Sequence, residues 1–285
     1  MKKIIFYIST VILLYSCQTI AAEKIINPIS DNYVVILDLS DRLIHNNQQV
    51  DFDTSSIAAV FQKFEKSVQR NLVVKSIDKF SIRIIPQANS KIDINNLQNS
   101  LSIDLSKFNA AQKLKALNDF KFNFAKRLSK LYQQAYLGSK DSDYPGVDIW
   151  QYFNEQINTD LDSRYNNKIL VLTDGYFDFE DNTHGIRKGN TATITAPLLA
   201  KMRQDNWQLT SDSLKIGLEP ILLNVQSKWI ICGIQSKPGC KDLLETKKLS
   251  YLWKKWLVNS GQTNINEPIV NTNSLKAKSL ILEYF

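Results

Sequence analysis

The chain predicts an α/β fold built on a three-layer, doubly wound, mostly parallel sheet. Two observations carry this prediction. Tyr33–Leu37 and Lys168–Leu172 are short, largely apolar runs that end abruptly at acidic turns, Asp38-Leu39-Ser40-Asp41-Arg42 and Thr173-Asp174-Gly175. A continuous apolar run of this length is the mark of a strand buried on both faces, as parallel strands are. Between and after them lie long stretches with apolar residues at helical spacing, so strands and helices alternate as a doubly wound sheet requires.

Strand one is Tyr33–Leu37. Thr54 is the expected N-cap of a helix over 55–69, with Ile57, Val60, Phe61, Phe64 and Val68 on one face. Phe80–Ile85 alternates and is stopped by Pro86, which makes it a second strand. Residues 87–106 are polar and irregular. A long helix over 109–136 follows, with Leu114, Leu117, Phe120, Phe124, Leu128 and Leu131 in a stripe that reads as core. The Asp141–Pro145 loop leads to a helix from Ile149 to Ile157, whose Trp150 and Tyr152 are expected to pack inward. After the strand Lys168–Leu172, residues 176–212 read as an insertion with one helix, Ala196–Arg203. Ile221–Val225 and Trp229–Ile234 read as strands. Lys241–Val258 reads as a helix, with Leu243, Leu244, Leu249, Leu252, Trp253, Trp256 and Leu257 apolar. Residues 260–277 are a polar tail, and Leu280–Phe285 an edge strand.

The start of the chain is a leader. Met1-Lys2-Lys3 is basic, Ile4–Tyr15 is almost wholly apolar, and Leu14-Tyr15-Ser16-Cys17 resembles a bacterial lipobox, which would put a lipid on Cys17. The apolar run is too short for an ordinary spanning helix. The competing reading is plain cleavage at Thr19-Ile20-Ala21-Ala22, giving a soluble periplasmic protein. The expected layout is a signal over 1–17, a tether over 18–31, one domain over 32–260 and a tail over 261–285. The net charge of +7 falls to +5 without Lys2 and Lys3 and is spread along the chain, which gives no case for nucleic acid. With Cys17 spent, Cys232 and Cys240 remain. In an oxidising compartment they read as a disulfide across the Pro238-Gly239 turn; the opposing reading is a buried free Cys232 and an exposed Cys240.

The acidic turns resemble the von Willebrand factor A (vWA) family, a Rossmann-like fold. Its metal-ion-dependent adhesion site has Asp-x-Ser-x-Ser after the first strand, a Thr on a middle loop, and an Asp after a later strand. Asp38 and Ser40 match the first two ligands and Asp174 the last. Arg42 stands where the second Ser belongs. In the middle loop, Tyr144–Trp150, Val147 takes the Thr position, with Asp148 as a substitute carboxylate. The resemblance implies Mg²⁺ or Mn²⁺ held by Asp38, Ser40, Asp148 and Asp174, and a protein partner in the cell envelope that docks at that edge. Against it stands a turn in which Asp38 and Ser40 merely bind loop amides, with Arg42 pairing an acid and replacing the cation. An acid after strand one also resembles Mg²⁺-dependent haloacid-dehalogenase phosphatases, with Asp38 as nucleophile. That family needs a second Asp two residues on, and Ser40 is there. His45 and His184, the chain's two histidines, show no metal-ligand or catalytic spacing.

Overall fold

The computed structural model describes residues 30–285 apart from 46–47, 86, 88–91, 178–185, 188–189, 192, 204, 214–215 and 272–273. The leader, Cys17, nearly all of the tether, and His184 with the acids Asp178, Glu180 and Asp181 therefore lie outside the described residues. Among the described residues no helix is long and apolar enough to cross a membrane.

A mostly parallel sheet of seven strands forms the middle layer. Strand β1 (Ser30–Asp38) lies between β2 (Lys79–Ile85) and β4 (Tyr165–Leu172), parallel to both. The two-residue β3 (Ile103–Asp104) runs antiparallel outside β2. On the other side β5 (Lys228–Ile234) pairs with β4 in parallel, and two short strands, β6 (Asn264–Ile265) and β7 (Ile269–Val270), pair with β5. The order is thus β3-β2-β1-β4-β5-β6. A small hairpin, Ile186–Arg187 with Asn190–Thr191, stands apart.

Helices cover both faces, and the alternation of strand side chains says which residue goes where. Tyr33, Val35 and Leu37 of β1, Leu170 and Leu172 of β4, and Ile230 and Cys232 of β5 enter one core. That core is closed by helices α1 (Gln49–Arg70), α2 (Ala110–Ala135) and α5 (Ser274–Tyr284). Val34, Ile36, Ile169, Val171, Trp229 and Ile231 enter the second core, under α3 (Ile149–Glu155) and α4 (Glu245–Asn259). Burial on both faces is why these strands are apolar runs. The first core centres on Phe61, Phe64, Phe80, Phe120 and Phe124, and the second on Phe153, Phe177, Trp253 and Trp256. Trp150 and Tyr152 are buried as expected.

Several expectations are corrected. The first helix begins at Gln49, and Thr54 is inside it, its hydroxyl donating back to Val50 O at 2.8 Å. Leu114 and Leu243 are 54% and 95% exposed and belong to no core stripe. Residues 221–225 form no strand. Leu280–Phe285 is not an edge strand: it is the end of α5, which packs on α1 and buries Ala277, Ile281 and Phe285. The segment after 260 is therefore no loose tail, since it adds two strands and a helix. Cys232 and Cys240 are free thiols. Cys232 points into the first core, whereas Cys240 donates to Glu245 of α4, which covers the other face, so the sheet separates them.

Candidate functional site

Three loops leave the carboxyl ends of β1, β2 and β4 side by side, which is the edge where open α/β sheets bind ligands. Asp38 ends β1, and its Oδ2 accepts from Thr173 Oγ1 at 2.8 Å, so the loop after β4 is tied to the end of β1. Gln87, just past β2, joins the others: its Nε2 donates to Leu39 O at 2.7 Å, and its Oε1 accepts from Gly146 N at 2.7 Å. The predicted middle loop is thus fastened beside the first.

The turn chemistry follows from the residue types. Asp38 Oδ1 accepts from Ser40 N at 2.9 Å, and Asp174 Oδ1 from Tyr176 N at 3.0 Å. Both acids close short loops onto their own backbone, as Asp does in tight turns. Gly175 has φ of +98°, and a Cβ there would fall 2.7 Å from Ile234 Cδ1. Its carbonyl accepts from Trp253 Nε1 at 3.0 Å. Only glycine satisfies both that backbone and that packing.

Asp38, Ser40 and Asp174 are all nearly inaccessible, at 1%, 5% and 4% exposure. Burial pushes the Asp38 carboxyl up to about 6, against the nearby charge of Arg42 and the bonds from Thr173 and Ser40. The Ser40 hydroxyl is buried near the Asp38 carboxyl and makes no hydrogen bond of good geometry among the described residues. A buried hydroxyl without a good hydrogen bond costs free energy, so it asks for a ligand or a water.

Asp148 ends the middle loop. It is the N-cap of α3, its Oδ1 accepting from Gln151 N at 2.8 Å, and it lines a cleft with Ile84, Gln87, Asp93 and Gln98. Val147 is buried and bridges Gln87, supplying no hydroxyl.

Arg42 is paired with a carboxylate outside the predicted site. Its guanidinium grips Asp53 of α1 in a fork, with Nη1 donating to Oδ1 at 3.1 Å and Nη2 to Oδ2 at 2.7 Å. Only Nε turns towards β1, and it meets the main-chain O of Asp38 at 2.8 Å, not the carboxylate. Gln49 and Tyr132 complete the shell of Asp53 at 2.8 and 2.9 Å. The legible signal for this pair is that Asp53 shares a helix face with Ile57, Val60 and Phe64, where an unpaired carboxylate would not be tolerated.

At the rim, Lys237 Nζ stands 3.4 Å from Asp41 Oδ2, and its backbone N donates to Tyr176 Oη at 3.2 Å. Tyr176 Oη donates to Glu245, whose other oxygen accepts from Cys240 Sγ at 2.7 Å. These bonds tie the loop after β5 to the loop after β4. Among the described residues no group of three or more His, Cys, Asp or Glu is gathered to hold a metal. A cation here would rely on two carboxylates, the Ser40 hydroxyl and water.

No protein-family model matches the chain. No curated protein matches it. A solved structure of proximal thread matrix protein 1 from the mussel byssus is similar at a TM-score of 0.34 and 9% identity, over 90% of this chain and 47% of that one. The chain spans about half the length of that protein, and a likeness of this size carries no argument.

Proposed function

We propose that the chain is an exported, lipid-anchored vWA-like binding module, which docks an envelope protein through the edge bearing Asp38, Ser40 and Asp174. The reading is supported by a mostly parallel sheet whose carboxyl edge gathers the loops after β1 and β4. The observation that carries the reading is the Ser40 hydroxyl, buried without a hydrogen bond of good geometry two residues after a buried carboxylate. A small hard cation, Mg²⁺ or Mn²⁺, is the ligand that suits such oxygens: it keeps several waters and accepts carboxylate and hydroxyl together. Each Asp38 oxygen already accepts one hydrogen bond and retains a second lone pair for a metal. A partner carboxylate would complete the shell. The phosphatase alternative gains nothing comparable, because Ser40 offers no general acid beside Asp38.

Calorimetric titration with MnCl₂ tests this. Wild type is expected to bind weakly, Ser40→Ala to lose affinity at least several-fold, and Asp174→Ala to lose binding. Equal absence of heat in all three sinks the cation and leaves the two acids as backbone-closing turns.

A further inference from the structure

The two ends of β1 carry opposite chemistry. Its carboxyl end is the acidic edge just described, and its amino end opens among cations. Lys63 Nζ donates to Leu282 O at 3.0 Å and Lys228 Nζ to Tyr284 O at 3.4 Å, so both ammonium groups rest on the last turn of α5, where free carbonyls attract positive charge. Arg70 and Lys168 pair with Asp31 at 3.1 and 2.7 Å, and Arg70 remains 61% exposed. Lys66 and Lys228 are exposed. Lys63 titrates below the ordinary lysine range, through burial first and then through Lys66, Lys228 and Arg70, which places these cations in one field.

Of the acids near this cluster, Asp31 and Asp78 are buried, whereas Glu283 on the last turn of α5 is exposed. Asp31 is held by Lys168, Arg70 and Asn166, and Asp78 by Ser67, Ser76 and Asn71. At the surface of this pole Lys66, Arg70 and Lys228 outnumber Glu283, so its exposed charge is net cationic. A cavity of about 670 Å³ opens there between Arg70, Asn166, Ser227 and Lys228. Ser227 is buried, and its hydroxyl, like that of Ser40, makes no hydrogen bond of good geometry among the described residues.

We propose that this basic pole docks on the anionic surface of a phospholipid membrane, with headgroup phosphates meeting Lys66, Arg70 and Lys228. The choice of occupant rests on the lipid-anchor reading of Cys17. Strand β1 begins at Ser30 on this pole, so the chain from Cys17 reaches the fold here, across a segment spanning at most roughly 45 Å when fully extended. A lipid and a basic patch on one side are the two signals that make peripheral attachment stable. The eight steps along β1 from Ser30 then hold Asp38 roughly 26 Å further out, facing away from the membrane and towards a partner.

The test uses the full chain with Cys17→Ser, which carries no lipid, so its result does not depend on acylation. Co-sedimentation is measured with vesicles of phosphatidylcholine alone and of phosphatidylcholine with phosphatidylglycerol in equal parts. The leader, with Lys2 and Lys3, is common to every variant, so the difference between variants reads the pole. Each Lys or Arg near an anionic surface strengthens binding roughly fivefold. The expected result is a clear preference for phosphatidylglycerol, lost in about 1 M salt, where the screening length is roughly 3 Å. Lys66→Glu/Lys228→Glu should weaken it at least about 25-fold, and Lys126→Glu/Lys130→Glu, equal in charge but on α2, should not. Circular dichroism and urea midpoints establish that the variants fold. No preference in the unsubstituted pole overturns the proposal, as does equal loss in both double variants. Displacement by millimolar inorganic phosphate at constant ionic strength also overturns it, in favour of a pocket for soluble anions.

Discussion

Arg42 holds Asp53 of α1 through both terminal nitrogens of its guanidinium. Its position in the Asp-x-Ser-x-Ser pattern invites the view that it repels or replaces a cation, and that Arg42→Ser would restore one. The side chain and its partner Asp53 are wholly buried, and the fork between them belongs to the packing of α1 on β1. Removing one member of such a pair strands the other charge, which costs about 3–5 kcal/mol. Arg42→Ser is therefore expected to lower the urea midpoint sharply and to leave Mn²⁺ affinity unimproved. Arg42→Met with Asp53→Leu should recover most of the loss, because an apolar pair needs no compensation. An unchanged midpoint in R42S would mean that the fork contributes nothing. Cys240 is the second case. Burial, and then the Glu245 carboxylate that accepts from it, raise its thiol above the ordinary range, while burial pushes Cys232 up to about 12. A raised pKa leaves less thiolate at neutral pH. Iodoacetamide should thus label Cys240 slowly, faster as pH rises past the usual thiol midpoint, and faster in Glu245→Gln at pH 8. Cys232 should react only in denaturant, and a Cys232–Cys240 disulfide found by mass spectrometry would refute this.

At the scale of elements, periodicity separated helix from strand wherever the apolar pattern was long. α2 was legible to within a residue because its stripe runs over many turns and Asn109 with Gln112 makes a capping box. The start of α1 was not legible. Gln48, at its N-cap, makes no side-chain capping bond, and the first turn is instead fixed by Gln49, which donates to Asp53 and accepts from Asn271 at 2.6 Å across the fold. No local rule encodes that. The last segment failed for a different reason. Leu280-Ile281-Leu282 is too short an apolar run to show whether its period is 2 or 3.6. In the structure Ala277, Ile281 and Phe285 recur every four residues and face α1, which a strand would not allow. Ile281→Ala should then cost about 2–5 kcal/mol in urea unfolding, as truncation in a packed core does. Leu275→Ala on the same helix, at a site 71% exposed, should cost close to nothing. Equal small losses would show that α5 is not part of the core.

For the whole molecule, the parallel sheet was legible because a strand buried on both faces has to be apolar throughout, and only two such runs end in acids. What the linear pattern hid was polarity from end to end: the cations of the amino pole come from Lys63, Lys66, Arg70, Lys168 and Lys228, which only the fold gathers. That polarity sharpens the localisation test. With a lipid on Cys17, attachment is hydrophobic and indifferent to salt. With docking by the basic pole, attachment is electrostatic and salt-sensitive. Membranes carrying wild type, washed at low salt and then at about 1 M, should keep the protein in both washes. Cys17→Ser, once cleaved near Ala22 and so free of residues 4–15, should sediment partly at low salt and leave wholly at high salt, since screening at that ionic strength acts within roughly 3 Å. If wild type is also released by salt, no lipid is present, and cleavage near Ala22 replaces the lipobox reading. If Cys17→Ser is fully soluble at low salt while wild type stays bound, the anchor holds and the docking pole fails.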